Sequence, residues 1–189
     1  GYIDPTSSRY NDVNPKERKK LWSEVLAMYQ ELDKIIGKVI NNADNNTLIV
    51  FSSDHGAVPL DQSVQLNNLF AKKGWITYSI DQKTGEHQID WEKSKVVFLK
   101  MSNVYINPQG LGPQWKRGEG SEYESLRNEV IETIRSIKDE HGVSPLEAAV
   151  KWEDAPAQLH LPTSRIGDLV VVNKAGYGWS EDQMALFST

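Results

Sequence analysis

The sequence predicts an α/β fold, a parallel sheet covered by helices with a smaller α+β section inserted, and three observations carry that expectation. Two long stretches repeat apolar residues at three- and four-residue steps, as helices with one buried face do. Two short runs, 47–51 and 168–172, are almost continuously apolar and rich in β-branched residues, the pattern of strands buried on both faces. Between them lie short strand-like runs joined by links too tight for a helical crossover, which points to antiparallel pairing there.

The first helix is announced by Asn14-Pro15-Lys16-Glu17: a capping side chain, a proline at the first helical position and an acid in the first turn. Leu21, Val25, Met28, Leu32, Ile35, Ile36 and Val39 then form one stripe over about seven turns, ending near Asn41 and Asn42. Residues 41–46 have turn chemistry and lead into the apolar run 47–51. A short helix is expected over 64–73, closed by Gly74, then a strand over 75–80 and a hairpin-like turn at 83–86. Strands follow at 96–99 and 104–106. Residues 107–120 hold four glycines and two prolines and read as loop. Leu126, Val130, Ile131, Ile134 and Ile137 mark a second amphipathic helix over 123–140, closed by Gly142. Ser144-Pro145-Leu146-Glu147 has the form of another helix start, 168–172 is the second buried strand, and 176–178 reads as loop. There is no internal repeat.

Composition narrows the chemistry. The 189 residues are 39% hydrophobic and 25% charged, the make-up of an ordinary globular protein with chain enough for one core. No apolar stretch reaches the length of a bilayer-spanning helix. The net charge of −5 is spread among interspersed acids and bases, so no nucleic-acid polymer is expected as a partner. With no cysteine, any metal must be held by histidine and carboxylate, which suits zinc or manganese.

The residues that carry chemistry are Ser52-Ser53-Asp54-His55-Gly56, directly after the run 47–51. If that run is a parallel strand, a carboxylate and an imidazole sit at its carboxyl end, where open α/β sheets form their ligand crevices. A sharp turn there lets both side chains reach one cation, and Gly56 gives the backbone room to make it. Taken alone, the pair is equally well read as a capped loop with a hydrogen-bonded histidine.

The wider context favours the metal. A helix carrying Asp33-Lys34-Ile35-Ile36-Gly37, then a strand, then Ser53-Asp54-His55-Gly56 resembles the type I phosphodiesterase/nucleotide pyrophosphatase family of the alkaline phosphatase superfamily, and the likeness extends more weakly to Arg165-Ile166-Gly167-Asp168-Leu169-Val170. The resemblance implies part of an alkaline-phosphatase-like fold, with 1–189 as one domain fragment and 60–160 as an inserted, substrate-shaping section. It implies hydrolysis of phosphodiester or pyrophosphate bonds in a small phosphate ester or nucleotide by a nucleophile and two divalent ions, zinc in the complete site. Asp54 and His55 match the ligands of one ion and Asp4 a ligand of the other. Ser8 stands where the family has histidine, and neither the nucleophile nor the closing histidine matches a residue here. The chain alone is therefore expected to be inactive.

The remaining candidates are weaker. His87, His141 and His160 read as a hairpin arm, a helix end and a loop, and Asp33 as a solvated acid. The six tryptophans have no regular spacing; Trp115, in its Gly/Pro-rich loop, is the one placed to stack on a substrate ring. Two rival functions remain at this stage: a non-catalytic metal-binding or structural α/β domain, and a related phosphomutase, sulfatase or phosphonate hydrolase.

Overall fold

The computed structural model describes residues 1–85, 87–113 and 115–180. The chain divides into two compact units, 1–61 and 62–189.

The first unit is dominated by α1 (Pro15–Asn41), and its start is the one the sequence predicts. The Asn14 side chain accepts a hydrogen bond from Glu17 N at 2.9 Å, filling one of the amide vacancies of the first turn. No residue of α1 is buried; Trp22, Leu26, Met28, Tyr29, Leu32, Ile35, Val39 and Ile40 leave its apolar stripe open. A single-turn 3-10 helix at Ser8–Asp12 precedes it. Arg18 ties the preceding segment to α1, donating to the backbone oxygens of Tyr2 (3.2 Å) and Val13 (2.9 Å) while its guanidinium lies over the Tyr10 ring.

The strand expected over 47–51 does not form. Leu48, Val50 and Phe51 are exposed and the segment has no regular structure. A strand apolar on both faces gains its stability from neighbours on two edges and two faces, and without them its residues have no reason to adopt one backbone conformation.

The second unit is mixed α/β. β1 (Leu60–Gln65) leads directly into α2 (Leu66–Lys72) and pairs with β8 (Gly176–Ser180) in a two-stranded parallel sheet. A short antiparallel hairpin follows, β2 (Tyr78–Ile80) with β3 (His87–Ile89). The main sheet has four strands in the order β4 (Val96–Leu99), β5 (Asn103–Ile106), β7 (Leu169–Asn173) and β6 (Leu146–Lys151), every pair antiparallel. Among the described residues parallel pairing is thus confined to β1 and β8, and β4 and β5 run antiparallel as their short link requires.

Packing explains the sheet. β7 alternates its side chains as a buried strand must: Leu169 and Val171 join a core with Leu66, Phe70, Val104, Ile106 and Ile134, whereas Val170 joins a second cluster with Val150, Ala155 and Ile166. α3 (Gly120–Arg135) lays Tyr123, Val130, Ile131 and Ile134 into the first core. It ends earlier than its stripe predicts, because Asp139 draws the chain into a turn by accepting from the amides of His141 and Val143. The helix expected at Ser144-Pro145-Leu146-Glu147 is instead the start of β6: Leu146 and Val150 are buried against β7, and that burial outweighs a local capping signal. The short α4 (Ala155–Leu159) and the strand β8, where a loop was expected, are further departures from the sequence pattern.

Two polar anchors lie in this core. Asn67 of α2 caps the free edge of β4, donating Nδ2–H to Phe98 O (2.9 Å) and accepting Phe98 N–H (2.7 Å) as a neighbouring strand would. Asp168, fully buried, accepts from Tyr123 OH (2.6 Å) and Ile106 N (2.6 Å) and lies 3.5 Å from Arg117 Nε. Arg117 also stacks on Trp152, fastening the Gly/Pro-rich loop to the residues before β7.

Candidate functional site

Asp54 and His55 lie on a short turn made from their own hydrogen bonds. Asp54 Oδ1 accepts the His55 amide at 3.0 Å, Ser53 Oγ donates to the His55 carbonyl at 2.7 Å, and His55 Nδ1 is 2.7 Å from the Gly56 carbonyl. The turn leaves His55 Nε2 3.3 Å from Asp54 Oδ2. Both side chains are exposed. Two donors on a tetrahedral zinc with bonds of about 2.0–2.1 Å stand about 3.3 Å apart, so the pair has the spacing of one edge of a zinc tetrahedron. A neutral His55 that donates Nδ1–H to the Gly56 carbonyl carries its lone pair on Nε2, the arrangement by which an outer hydrogen bond orients a metal-binding histidine.

A third donor does not join them. Among the described residues no group of three or more histidine, aspartate or glutamate side chains is placed to hold an ion. Among the described residues the pair supplies half of a zinc sphere.

Asp4 is engaged locally. Its Oδ1 accepts from Thr6 N (2.9 Å) and Thr6 Oγ1 (2.7 Å), and the Thr6 hydroxyl, followed by the Thr6 amide, holds its carboxyl below the usual range. It is anionic at neutral pH and remains a competent oxygen donor. Ser8 presents its backbone amide to Asp61 Oδ2 (3.3 Å), and Ser7 Oγ donates to Asp61 Oδ1 (2.8 Å). Asp61 was not singled out from the sequence; it belongs to no motif, and nothing in its neighbours distinguishes it from a surface acid.

The other candidates fall away from the pair in different ways. Asp33 is exposed on α1. Trp115 meets Tyr105 edge-on, ring centroids 5.1 Å apart, as part of the packing around the core, so it is no open platform for a substrate ring. His87 contacts the Tyr78 ring, His141 is 3.6 Å from Glu140, and His160 closes α4 in the left-handed conformation. No helix among the described residues is long and apolar enough to cross a membrane.

Comparison with curated proteins and with solved structures gives no match. Comparison with family models does: the type I phosphodiesterase/nucleotide pyrophosphatase model matches residues 9–184, a span that contains Asp54, His55 and Gly56 and begins after Asp4 and Ser8. A match over nearly the whole chain, with the Asp-His-Gly turn inside it, places this protein in the type I phosphodiesterase/nucleotide pyrophosphatase family.

Proposed function

We propose that this chain carries the Asp54–His55 half of a two-metal phosphoryl hydrolase site and, by itself, turns over no substrate. The family hydrolyses phosphodiester or pyrophosphate bonds in small phosphate esters and is metal-dependent. The observation that supports this reading is the 3.3 Å separation of His55 Nε2 and Asp54 Oδ2 on an exposed, self-bonded turn. Two such ions, zinc in this proposal, would polarise a phosphoryl oxygen and activate the attacking oxygen. The residues of this chain would hold them: Asp54 and His55 for one, Asp4 for the other. With so few protein donors, water would fill most of each sphere, so binding would be weak and largely uncoupled from folding.

The alternative, a structural or metal-binding domain without catalysis, is supported by the lack of a third ligand beside the pair among the described residues. Calorimetric titration of zinc into chelator-treated protein, with an aryl phosphodiester assay alongside, tests both the metal pair and the lack of turnover. We expect weak zinc binding that His55→Ala and Asp54→Ala each abolish, and no hydrolysis above a metal-only blank. Zinc binding unaffected by either substitution would remove the metal site, and hydrolysis abolished by Asp54→Ala would show a complete site within the chain.

A further inference from the structure

We propose that α1 is a dimerisation helix, which pairs antiparallel with α1 of a second copy of this chain. The starting point is what the helix leaves uncovered. None of its residues is buried, and eight of its large apolar side chains are between 48% and 61% exposed. With about half of each open to water, this face offers on the order of 800 Å² of apolar surface. That exceeds the largest apolar patch usual on a monomer, about 300–600 Å², and matches the roughly 800 Å² that each partner gives to a stable interface. Spacing points to another helix as the occupant. Leu21, Val25, Met28, Leu32, Ile35 and Val39 follow one another at steps of four, three, four, three and four residues. Such a seam repeats every 3.5 residues or so, the period that two helices wound together require. Ser23, Gln30 and Gly37 fall on the opposite side of the helix, where a pair leaves its residues in water.

The sequence of the seam is complementary to itself. With the two-fold axis at the level of Gln30, the antiparallel pair closes in apolar layers: Leu21 on the partner's Val39, Val25 on the partner's Ile35, and Met28 on the partner's Leu32. The flanks select this orientation. On one flank Trp22 meets the partner's Ile36, and the two Tyr29 rings meet at the axis, so exposed aromatic surface is covered. On the other flank Glu24 comes beside the partner's Lys38, and by symmetry this happens twice. Within its own helix Glu24 is 3.8 Å from Lys20, an exposed pair that leaves the carboxylate open to a second cation. The two Glu31 carboxylates approach each other at the axis, and each is held by its own Lys34 at 2.6 Å. A parallel pair would set Glu24 against Tyr29 and Glu31 against Ile36, placing carboxylates beside apolar side chains with no cation opposite.

Sedimentation velocity of the whole chain, from about 1 µM to about 1 mM, reads the oligomeric state, and a dimer dissociating in roughly the micromolar range is expected. Met28→Glu and Leu32→Glu, each on a face that touches no core, should leave monomers throughout. Glu24→Lys and Lys38→Glu should each weaken the dimer on the order of tenfold, and the double variant, which restores opposite charges across the interface, should recover most of that loss. Orientation has its own readout. The chain contains no cysteine, so Lys19→Cys carries a single spin label per copy. Pulsed dipolar spectroscopy should place the two labels at least about 33 Å apart, the helix rise over twenty-two residues, whereas a parallel pair sets them level. A monomer at every concentration overturns the proposal, and so does a dimer that survives Met28→Glu and Leu32→Glu. Labels level with each other, or charge variants that do not rescue one another, refute the antiparallel pairing. Flotation with vesicles of phosphatidylcholine and phosphatidylserine examines the other occupant such a helix suits. A chain that stays monomeric and floats with the vesicles, an attachment removed by Leu32→Glu, assigns the face to a lipid surface and refutes the dimer.

Discussion

Asn67 and Asn68 are adjacent on α2, both buried, and differ in what their side chains hold, which makes them a matched test of edge capping. Asn67 bonds the backbone N–H and C=O of Phe98 on the outer strand of the main sheet. Asn68 donates only to the Gln65 side chain at 2.7 Å. Asn67→Ala therefore strands two buried backbone groups at about 1–3 kcal/mol each; allowing for some relaxation, the cost is about 3 kcal/mol. Asn68→Ala frees a glutamine that can turn to water, at about 1 kcal/mol or less. In a unit of this size 1 kcal/mol moves the melting temperature by about 3–5 °C, so Asn67→Ala should melt about 10 °C lower and Asn68→Ala no more than about 5 °C lower. Tryptophan fluorescence during urea and thermal unfolding reads both. Asn67→Ala should also aggregate sooner, because an uncapped strand edge accepts another chain. Equal penalties would show that the Phe98 bonds contribute nothing beyond filling space.

Two further expectations concern the core. Burial raises the Asp168 carboxyl above its ordinary range, with the Tyr123 hydroxyl, the Ile106 amide and Arg117 opposing. Its contribution to stability is therefore complete below the unfolded value near 3.8 and is lost as pH rises through the folded value. Asp168→Asn should destabilise by about 2 kcal/mol, since the amide faces one of its two donors with hydrogens, and the gap to wild type should narrow as pH is raised from about 4; a widening gap in denaturant melts would reverse the assignment. Gly167→Ala brings a Cβ to 2.6 Å from the Val104 carbonyl, whereas at Gly74 (φ +72°) a Cβ meets nothing within 4 Å. The first should cost about 3 kcal/mol or more and the second about 1 kcal/mol, and equal melts for the two variants would contradict the packing.

What the sequence made legible was whatever local chemistry decides. The Asn14 cap and Pro15 start α1 where they should, and the run after Asp168 is buried on both faces because nearly every residue in it is apolar. Where partners distant in the chain decide, local signals misled. Residues 47–51 have the same apolar signature as β7 but stand exposed, since the signature states what a segment needs and not whether a neighbour supplies it. Ser144-Pro145-Leu146-Glu147 carries a helix start that pairing with β7 overrides. For the site, the Asp54–His55 turn was legible because its bonds are all within four residues. Asp61 was not, because its partners are more than fifty positions away and an aspartate in a strand has no motif of its own.

The contrast between the two long helices leads to a prediction that also bears on the site. α3 has six buried residues in sixteen, so its amides open chiefly when the second unit unfolds. α1 has twenty-seven residues and none buried; caps and the pairs Glu31–Lys34 and Lys20–Glu24 are what hold it, and each such exposed pair adds only a few tenths of a kcal/mol. A helix held by propensity and capping frays along much of its length. Hydrogen exchange in the monomer should therefore find the α1 amides exchanging at least on the order of 100-fold faster than those of α3, because their opening requires no loss of core. On the proposed reading of Asp54 and His55 as zinc ligands, zinc should slow exchange at residues 54–56 and leave α1 unchanged, as expected of an ion whose ligands are preformed by local bonds. Protection of α1 equal to that of α3 would mean that its stripe of Trp22, Leu26, Tyr29 and Ile40 is covered in solution. Zinc-dependent protection spreading through α1 would mean that binding and folding of the first unit are one event, and the view of the pair as a preformed, weakly held half-site would have to be abandoned.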